Sequence, residues 1–307
     1  MAKRRGKNDS GRTGVLVVDK PAGMTSHDVV AKVRRAVGSR RVGHTGTLDP
    51  DATGVLICCV GQATRLVQFL QNSPKTYHAE MVLGLATSSQ DAAGEPTFEA
   101  DASHIDEGDL CTAMSKLSGE ILQLPPMVSA IKIDGERLHE KARRGEVVDR
   151  ELRAVTIYDL VLEDFTAGPR ATASFLVTCS PGTYVRTLAH DMGEALGVGG
   201  SLTSLRRLAN GGYTTDESVP LADVMQAGED GTIDDLMLTC RAALRGFPQV
   251  EVDDETVRGL VHGGRLPAQG IEGAYGVVHG NRLVGVYADE DGAGKAHVVL
   301  LQPADLI

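Results

Sequence analysis

The sequence predicts an α+β protein: a mixed, mainly antiparallel sheet with flanking helices, followed by a small C-terminal β-rich domain. Apolar and polar residues alternate with period two in stretches bounded by glycine and proline, and over the middle of the chain these strands outnumber helical patterns. No regular strand–helix alternation and no fixed internal period runs through the 307 residues, so a doubly wound parallel sheet and a solenoid are both poor descriptions. From about Phe247 the chain changes to short β-rich runs separated by glycines, the pattern of a compact β domain.

Residues 1–13 are polar, basic and glycine-containing, and are expected to form a disordered arm. Val15 to Val18 reads as a strand. Ser26 is expected to cap a helix whose apolar positions Val29, Val30, Val33, Ala36 and Val37 recur at helical spacing until Gly38, with Lys32, Arg34 and Arg35 opposite. Val55 to Val60 reads as a buried strand and Thr64 to Leu70 as a short helix. In Lys75 to Leu85, Tyr77, Ala79, Met81 and Leu83 alternate with their neighbours, which predicts a strand. Residues 104–118 read as helical up to Gly119, Leu124-Pro125-Pro126 as extended, Val128 to Ile133 as a strand and Glu136 to Arg144 as a charged helix. Strands Leu152 to Leu162 and Ala171 to Cys179 flank a turn at Gly168-Pro169. Val185, Leu188, Ala189, Met192, Ala195 and Leu196 predict a helix from Thr183 to Gly197, and Ser201 to Leu208 reads as a second, short helix. Tyr275 to Val278, Leu283 to Val286 and His297 to Leu301 complete the C-terminal strands. The expected organisation is an arm over 1–13, a main domain over 14–245 and a β domain over 246–307.

A hydrophobic content of 42% is ordinary for a protein with a substantial core, and no apolar run reaches membrane-spanning length, so the cytoplasm is the expected location. Five cysteines, without Cys-x-x-Cys spacing and mostly within apolar runs, read as buried hydrophobes and not as a disulfide or zinc framework. The net charge of −10 opposes nucleic-acid binding unless the charge is polarised over the surface. Basic residues do cluster: Lys3, Arg4, Arg5, Lys7 and Arg12; Lys32, Arg34, Arg35, Arg40 and Arg41; Lys141, Arg143 and Arg144; and Arg206 with Arg207. Acidic residues gather elsewhere, at 101–109, 229–235 and 253–255. Beyond residue 246, nine Asp/Glu outnumber four Lys/Arg.

Residues 43–54, Gly-His-Thr-Gly-Thr-Leu-Asp-Pro-Asp-Ala-Thr-Gly, pack glycines, small hydroxyls, a histidine and two carboxylates into a dozen positions. Glycine frees the backbone and Pro50 fixes the turn after Asp49, while the apolar run behind them anchors the loop, which is how a scaffold presents a reactive group. The run resembles the motif that carries the catalytic aspartate in pseudouridine synthases of the TruB family, which isomerise a uridine in the T loop of transfer RNA. Further resemblances follow in order: Val18-Asp19-Lys20-Pro21-Ala22-Gly23-Met24-Thr25-Ser26, Lys75-Thr76-Tyr77, Gly182-Thr183-Tyr184-Val185-Arg186-Thr187 and Leu205-Arg206-Arg207-Leu208.

The resemblance implies a cofactor-free and metal-free isomerase acting on a flipped-out nucleotide, the T-loop uridine at tRNA position 55, without an obligate protein partner and as a monomer. It makes Asp49 the essential carboxylate; attack on the sugar, attack on the base and removal of a ribose proton are all open to it. Arg186 corresponds to the arginine that pairs with that aspartate, and Tyr77 to the tyrosine that stacks on the target ring. Tyr184 and Leu205 occupy nucleotide-pocket positions, His44 matches the histidine associated with the everted nucleotide, and Lys20 is a candidate phosphate or backbone contact. The last 62 residues resemble the PUA-like domain that ends many members of the family. Asp51 departs from the family pattern, where an apolar residue is common, and creates a rival: Asp49-Pro50-Asp51-Ala52-Thr53 also fits the Asp-x-Asp-x-Thr pattern of magnesium-dependent phosphotransferases. Such a motif should follow a buried parallel strand, and residues 41–48 are too polar and glycine-rich for one. An RNA chaperone without essential catalysis is the alternative from the binding class.

Overall fold

The structure is a computed structural model that describes residues 10–129, 132, 133, 135–138, 141, 144, 146 and 148–302. Most of the expected basic arm, with Lys3, Arg4, Arg5 and Lys7, lies outside the described residues, as does Arg143. The chain forms two compact units. One comprises the chain up to Pro50, Gly54–Asn72 and everything from Gly211 onward; the other comprises Asp51–Thr53 with Ser73–Asn210.

In the first unit, strand β1 (Gly14–Lys20) leads to helix α1 (Ser26–Val37), then to strand β2 (Val42–His44) and strand β3 (Thr53–Val60). β3 lies antiparallel to β1, from Gly14 opposite Val60 to Lys20 opposite Gly54, and antiparallel to β2 on a hairpin whose connecting loop holds Asp49. Val29, Val30, Val33 and Val37 of α1 pack with Leu16, Leu56 and Cys58 on one face of these strands. The other face buries Val15, Val55 and Ile57 with Tyr213, Val278, Leu283, Val286 and Val298, so residues from the C-terminal strands share its core. Those strands, Gln249–Glu251, Leu266–Pro267, Ala274–His279, Arg282–Glu290 and Ala293–Val299, form the expected β-rich sheet.

The second unit is built on an all-antiparallel sheet. Strand β4 (Lys75–Leu83) is an interior strand, and strand β5 (Gly119–Gln123) forms the edge next to β6 (Arg153–Thr166). β7 (Thr172–Cys179) joins β6 to β4, helix α2 (Val185–Ala195) follows, and β8 (Gly200–Asn210) pairs with the other side of β4. α2 packs on β8 and β4, and its buried residues include Leu188, Ala189 and Met192.

Three local expectations are corrected. Thr25, not Ser26, caps α1: its hydroxyl accepts from Asp28 N (3.1 Å) while the Asp28 carboxylate accepts from Thr25 N (2.9 Å). Ser201 to Leu208 is strand, not helix, because β8 carries register shifts at Leu202/Ser204 and Arg207/Ala209. Each extra residue lengthens the apolar repeat, so Leu202, Leu205 and Leu208 fall at a helix-like spacing. The expected charged helix does not begin at Glu136: Glu136–Arg137 pairs as a strand with Lys132–Ile133 across a turn with Gly135 at φ 85°, and helical residues follow at Leu138 and Lys141.

Candidate active site

The Asp49 loop is tied down from three directions. Ser26, freed from capping and buried, donates its hydroxyl to Leu48 O (3.1 Å) and accepts from Leu48 N (2.8 Å), which brackets the residue before the aspartate. Pro50, the residue after it, accepts from Met24 N (3.3 Å) and from the Lys20 ammonium (2.8 Å). Lys20 also donates to Pro21 O (2.9 Å) and is 0% exposed. The Lys20 ammonium, expected as a phosphate or backbone contact, is turned inward here, onto the loop it supports. Gly46 and Gly54 take φ of 130° and 100°, which side chains resist, whereas Gly43 lies within β2. Asp49 itself is half-buried between these anchors.

His44, at the end of β2, accepts at Nδ1 from Gly46 N (3.3 Å), which assigns the ring proton to Nε2 in the neutral form, and its ring meets His27 edge-on at 5.6 Å. Alongside, Lys32, Arg34, Arg35, Arg40 and Arg41 are all exposed, so this basic cluster is a genuine surface feature of the unit. Several described members of the other clusters are already engaged within the protein. Arg12 grips Asp234 through two bonds (2.7 and 3.0 Å), Arg144 pairs with Glu136 and Glu146, and Arg207 is 1% exposed. The acidic groups are largely structural too, since Asp106 and Asp253 cap the helices Glu107–Ser115 and Asp254–Val261.

The second unit holds the remaining candidates. Tyr77 on β4 lies opposite Val177 of β7 and Arg207 of β8, while Leu205 lies opposite Ala79, so Tyr77 and Leu205 share the face on which α2 packs. Lys75 is on that face as well; burial, reinforced by the charge of Arg207, pushes its ammonium down to about 8. Tyr184 precedes α2 and Arg186 lies in its first turn. The Arg186 guanidinium is buried, donating to Ser89 O (2.8 Å) and Val128 O (3.0 Å), with a carboxylate oxygen of Asp91 at 3.4 Å.

Sequence reasoning missed two residues here. Asp91 belongs to a loop in which Ser89 Oγ and Ala93 N donate to its carboxylate (2.5 and 3.1 Å), and in which Gln90, at φ 64°, accepts from Thr187 Oγ1 (2.7 Å). The polar run Ser88-Ser89-Gln90-Asp91 ending a strand was the available signal. Gln123, buried at the end of β5, binds the backbone of Tyr184 at both its polar atoms. A lone glutamine before Leu-Pro-Pro gave no signal of this.

Known families account for this arrangement. Residues 34–185 match the model of the TruB family pseudouridylate synthase N-terminal domain, and residues 186–245 match the tRNA pseudouridylate synthase B C-terminal domain. The chain belongs to the TruB family of pseudouridylate synthases. Its reaction class is isomerisation, and its process is pseudouridine formation in tRNA. The tRNA pseudouridine synthase B of Symbiobacterium thermophilum is 48% identical over 86% of this chain and 86% of its own length. That of Corynebacterium efficiens is 44% identical over 96% and 98%. Among solved structures, a Cbf5–Nop10–Gar1 complex aligns at TM-score 0.74 and 27% identity, over 95% of this chain and 86% of the other. An H/ACA RNP bound to a substrate RNA containing 2′-deoxyuridine aligns at 0.73 and 26%, with the same shares covered. The phosphotransferase rival loses its structural premise, because the strand before Asp49 is a three-residue antiparallel hairpin arm.

Proposed function

We propose that this chain converts the T-loop uridine at position 55 of tRNA to pseudouridine, with Asp49 as the catalytic carboxylate. The observation that carries the reading is the Asp49 loop: a half-buried carboxylate whose two flanking residues are each held by a buried polar side chain. Isomerisation breaks the ribose–nitrogen bond, turns the uracil and rejoins it through carbon, with no redox change. It needs a carboxylate to act at the sugar or base, a surface to retain the free ring and exclusion of water. Asp49 supplies the first, and Tyr77, with Tyr184 and Leu205, the second. Arg186 acts as the cationic partner of Asp49, keeping it ionised and aimed. His44 occupies the space left by the everted nucleotide, and Lys20 serves by holding the loop. The exposed cations from Lys32 to Arg41 meet phosphate despite the net negative charge.

The chain works as a cytoplasmic monomer with no cofactor, its catalytic domain spanning 14–245 and its PUA-like domain 246–307. Asp49→Asn tests the chemistry: tRNA binding should survive while tritium release from C5-labelled uridine stops. A variant that still turns over would remove Asp49 from its role, and parental tRNA refolding without any tritium release would leave an RNA chaperone. Position 55 is tested by mass spectrometry of chemically labelled tRNA from a deletion strain, where the T-loop site should be unmodified.

A further inference from the structure

We infer that Gln123 is a positioning residue for the reaction: its carboxamide fixes the backbone of Tyr184 and so sets where Tyr184 and Arg186 stand at the nucleotide. This rests on the roles proposed above for those two residues. The Gln123 side chain donates from Nε2 to Tyr184 O (3.1 Å) and accepts at Oε1 from Tyr184 N (2.8 Å), a closed two-bond clamp on one residue. Gln123 is 2% exposed, so the clamp is shielded from competing water.

The clamp sits where the helix needs it. Tyr184 is the N-cap of α2, with an extended backbone (φ −100°, ψ 106°) and no side-chain cap, since a tyrosine ring has no oxygen within reach of the first-turn amides. Its carbonyl accepts from Thr187 N (3.1 Å) and Leu188 N (3.2 Å), so holding this one peptide holds the first turn that carries Arg186. A Ser, Thr or Asp at position 184 could cap the helix locally. The chain instead uses a glutamine 61 residues away and thereby leaves position 184 free to be aromatic. The same stretch reaches Arg186 directly, through Val128 O. Gln123 is itself fixed, opposite Arg153 at the end of β5 and directly before Leu124-Pro125-Pro126.

Gln123→Leu removes both bonds at similar volume, and Gln123→Glu keeps the acceptor for Tyr184 N but loses the donor. Single-turnover tritium release, tRNA Kd and Tm are measured for both and for the parent. In folded Gln123→Leu the rate should fall about 10- to 100-fold with Kd within about twofold, since misplacement weakens chemistry more than docking. Gln123→Glu should recover part of the rate. In a double-mutant cycle, Gln123→Leu should add little to Tyr184→Ala, because both act through one group. A folded Gln123→Leu at the parental rate, full additivity, or a Kd change that accounts for the whole loss each overturns the inference. If Gln123→Leu does not fold, Gln123→Glu decides: a parental rate overturns the inference and a reduced rate at unchanged Kd supports it. Absence of tritium release by the parent sinks the synthase reading and this inference with it, whereas an active parent and an indifferent Gln123 sink the inference alone.

Discussion

Lys20 brings a cation to a site with no exposure and keeps it there by donating to two backbone carbonyls beside the reactive loop. Lys20→Met has similar length and no donor, so stability should fall by about 1–3 kcal/mol, readable in urea titration. Tritium release should fall as well, because Pro50 loses a tether. Asp191 is the opposite kind of group. Burial, with a smaller push from Glu194 and against the pull of His190, raises its carboxyl from 3.8 to about 6. A raised folded-state value means that its stabilising contribution is full below pH 3.8 and is lost as pH rises through about 6. Asp191→Asn should therefore flatten the decline in Tm over that window relative to the parent; an unchanged pH profile would show that Asp191 does not control it. At this scale the sequence was informative wherever chemistry was concentrated locally, as in the Asp49 loop. It was silent on Ser26 as a loop anchor and on Gln123, whose partners lie 22 and 61 residues away.

Among the elements, α2 and β8 meet most closely at Gly193 and Gly200. A β-carbon on Gly193 would lie 2.1 Å from Gly200 N and 2.2 Å from Gly199 C, both backbone atoms that cannot step aside cheaply. Gly193→Ala should cost about 3 kcal/mol, the upper part of the range for overpacking, and lower Tm accordingly. The close approach it protects joins the last turn of α2 to the start of β8. Regular elements such as α1, β4, β7 and α2 were legible because their apolar residues keep one period throughout. β8 was not, since its two bulges replace a clean alternation by a mixed one, and the edge strand β5 was masked by its exposed residues, Leu122 among them.

For the whole molecule, total charge is a poor guide to where RNA could dock: among the described residues, Arg12, Arg144 and Arg207 are engaged by Asp234, by Glu136 and Glu146, or by burial, while the run from Lys32 to Arg41 stays on the surface as a block. The fold class was legible from period and composition. The two compact units leave no such trace, because a contiguous stretch, Ser73–Asn210, is inserted into a unit whose other parts come from both sides of it. Contacts between Val15, Val55 and Ile57 and the residues Val278, Leu283, Val286 and Val298 span most of the chain length and leave no local signature. They also impose an order of events during synthesis. The inserted stretch can settle as soon as it leaves the ribosome, whereas β1 and β3 must wait, half-clothed, for strands translated more than 200 residues later. A nascent chain arrested at residue 245 should thus resist protease over 73–129 and 148–210 and be cut within 14–60; equal protection of both would show that the early strands need no late arrivals.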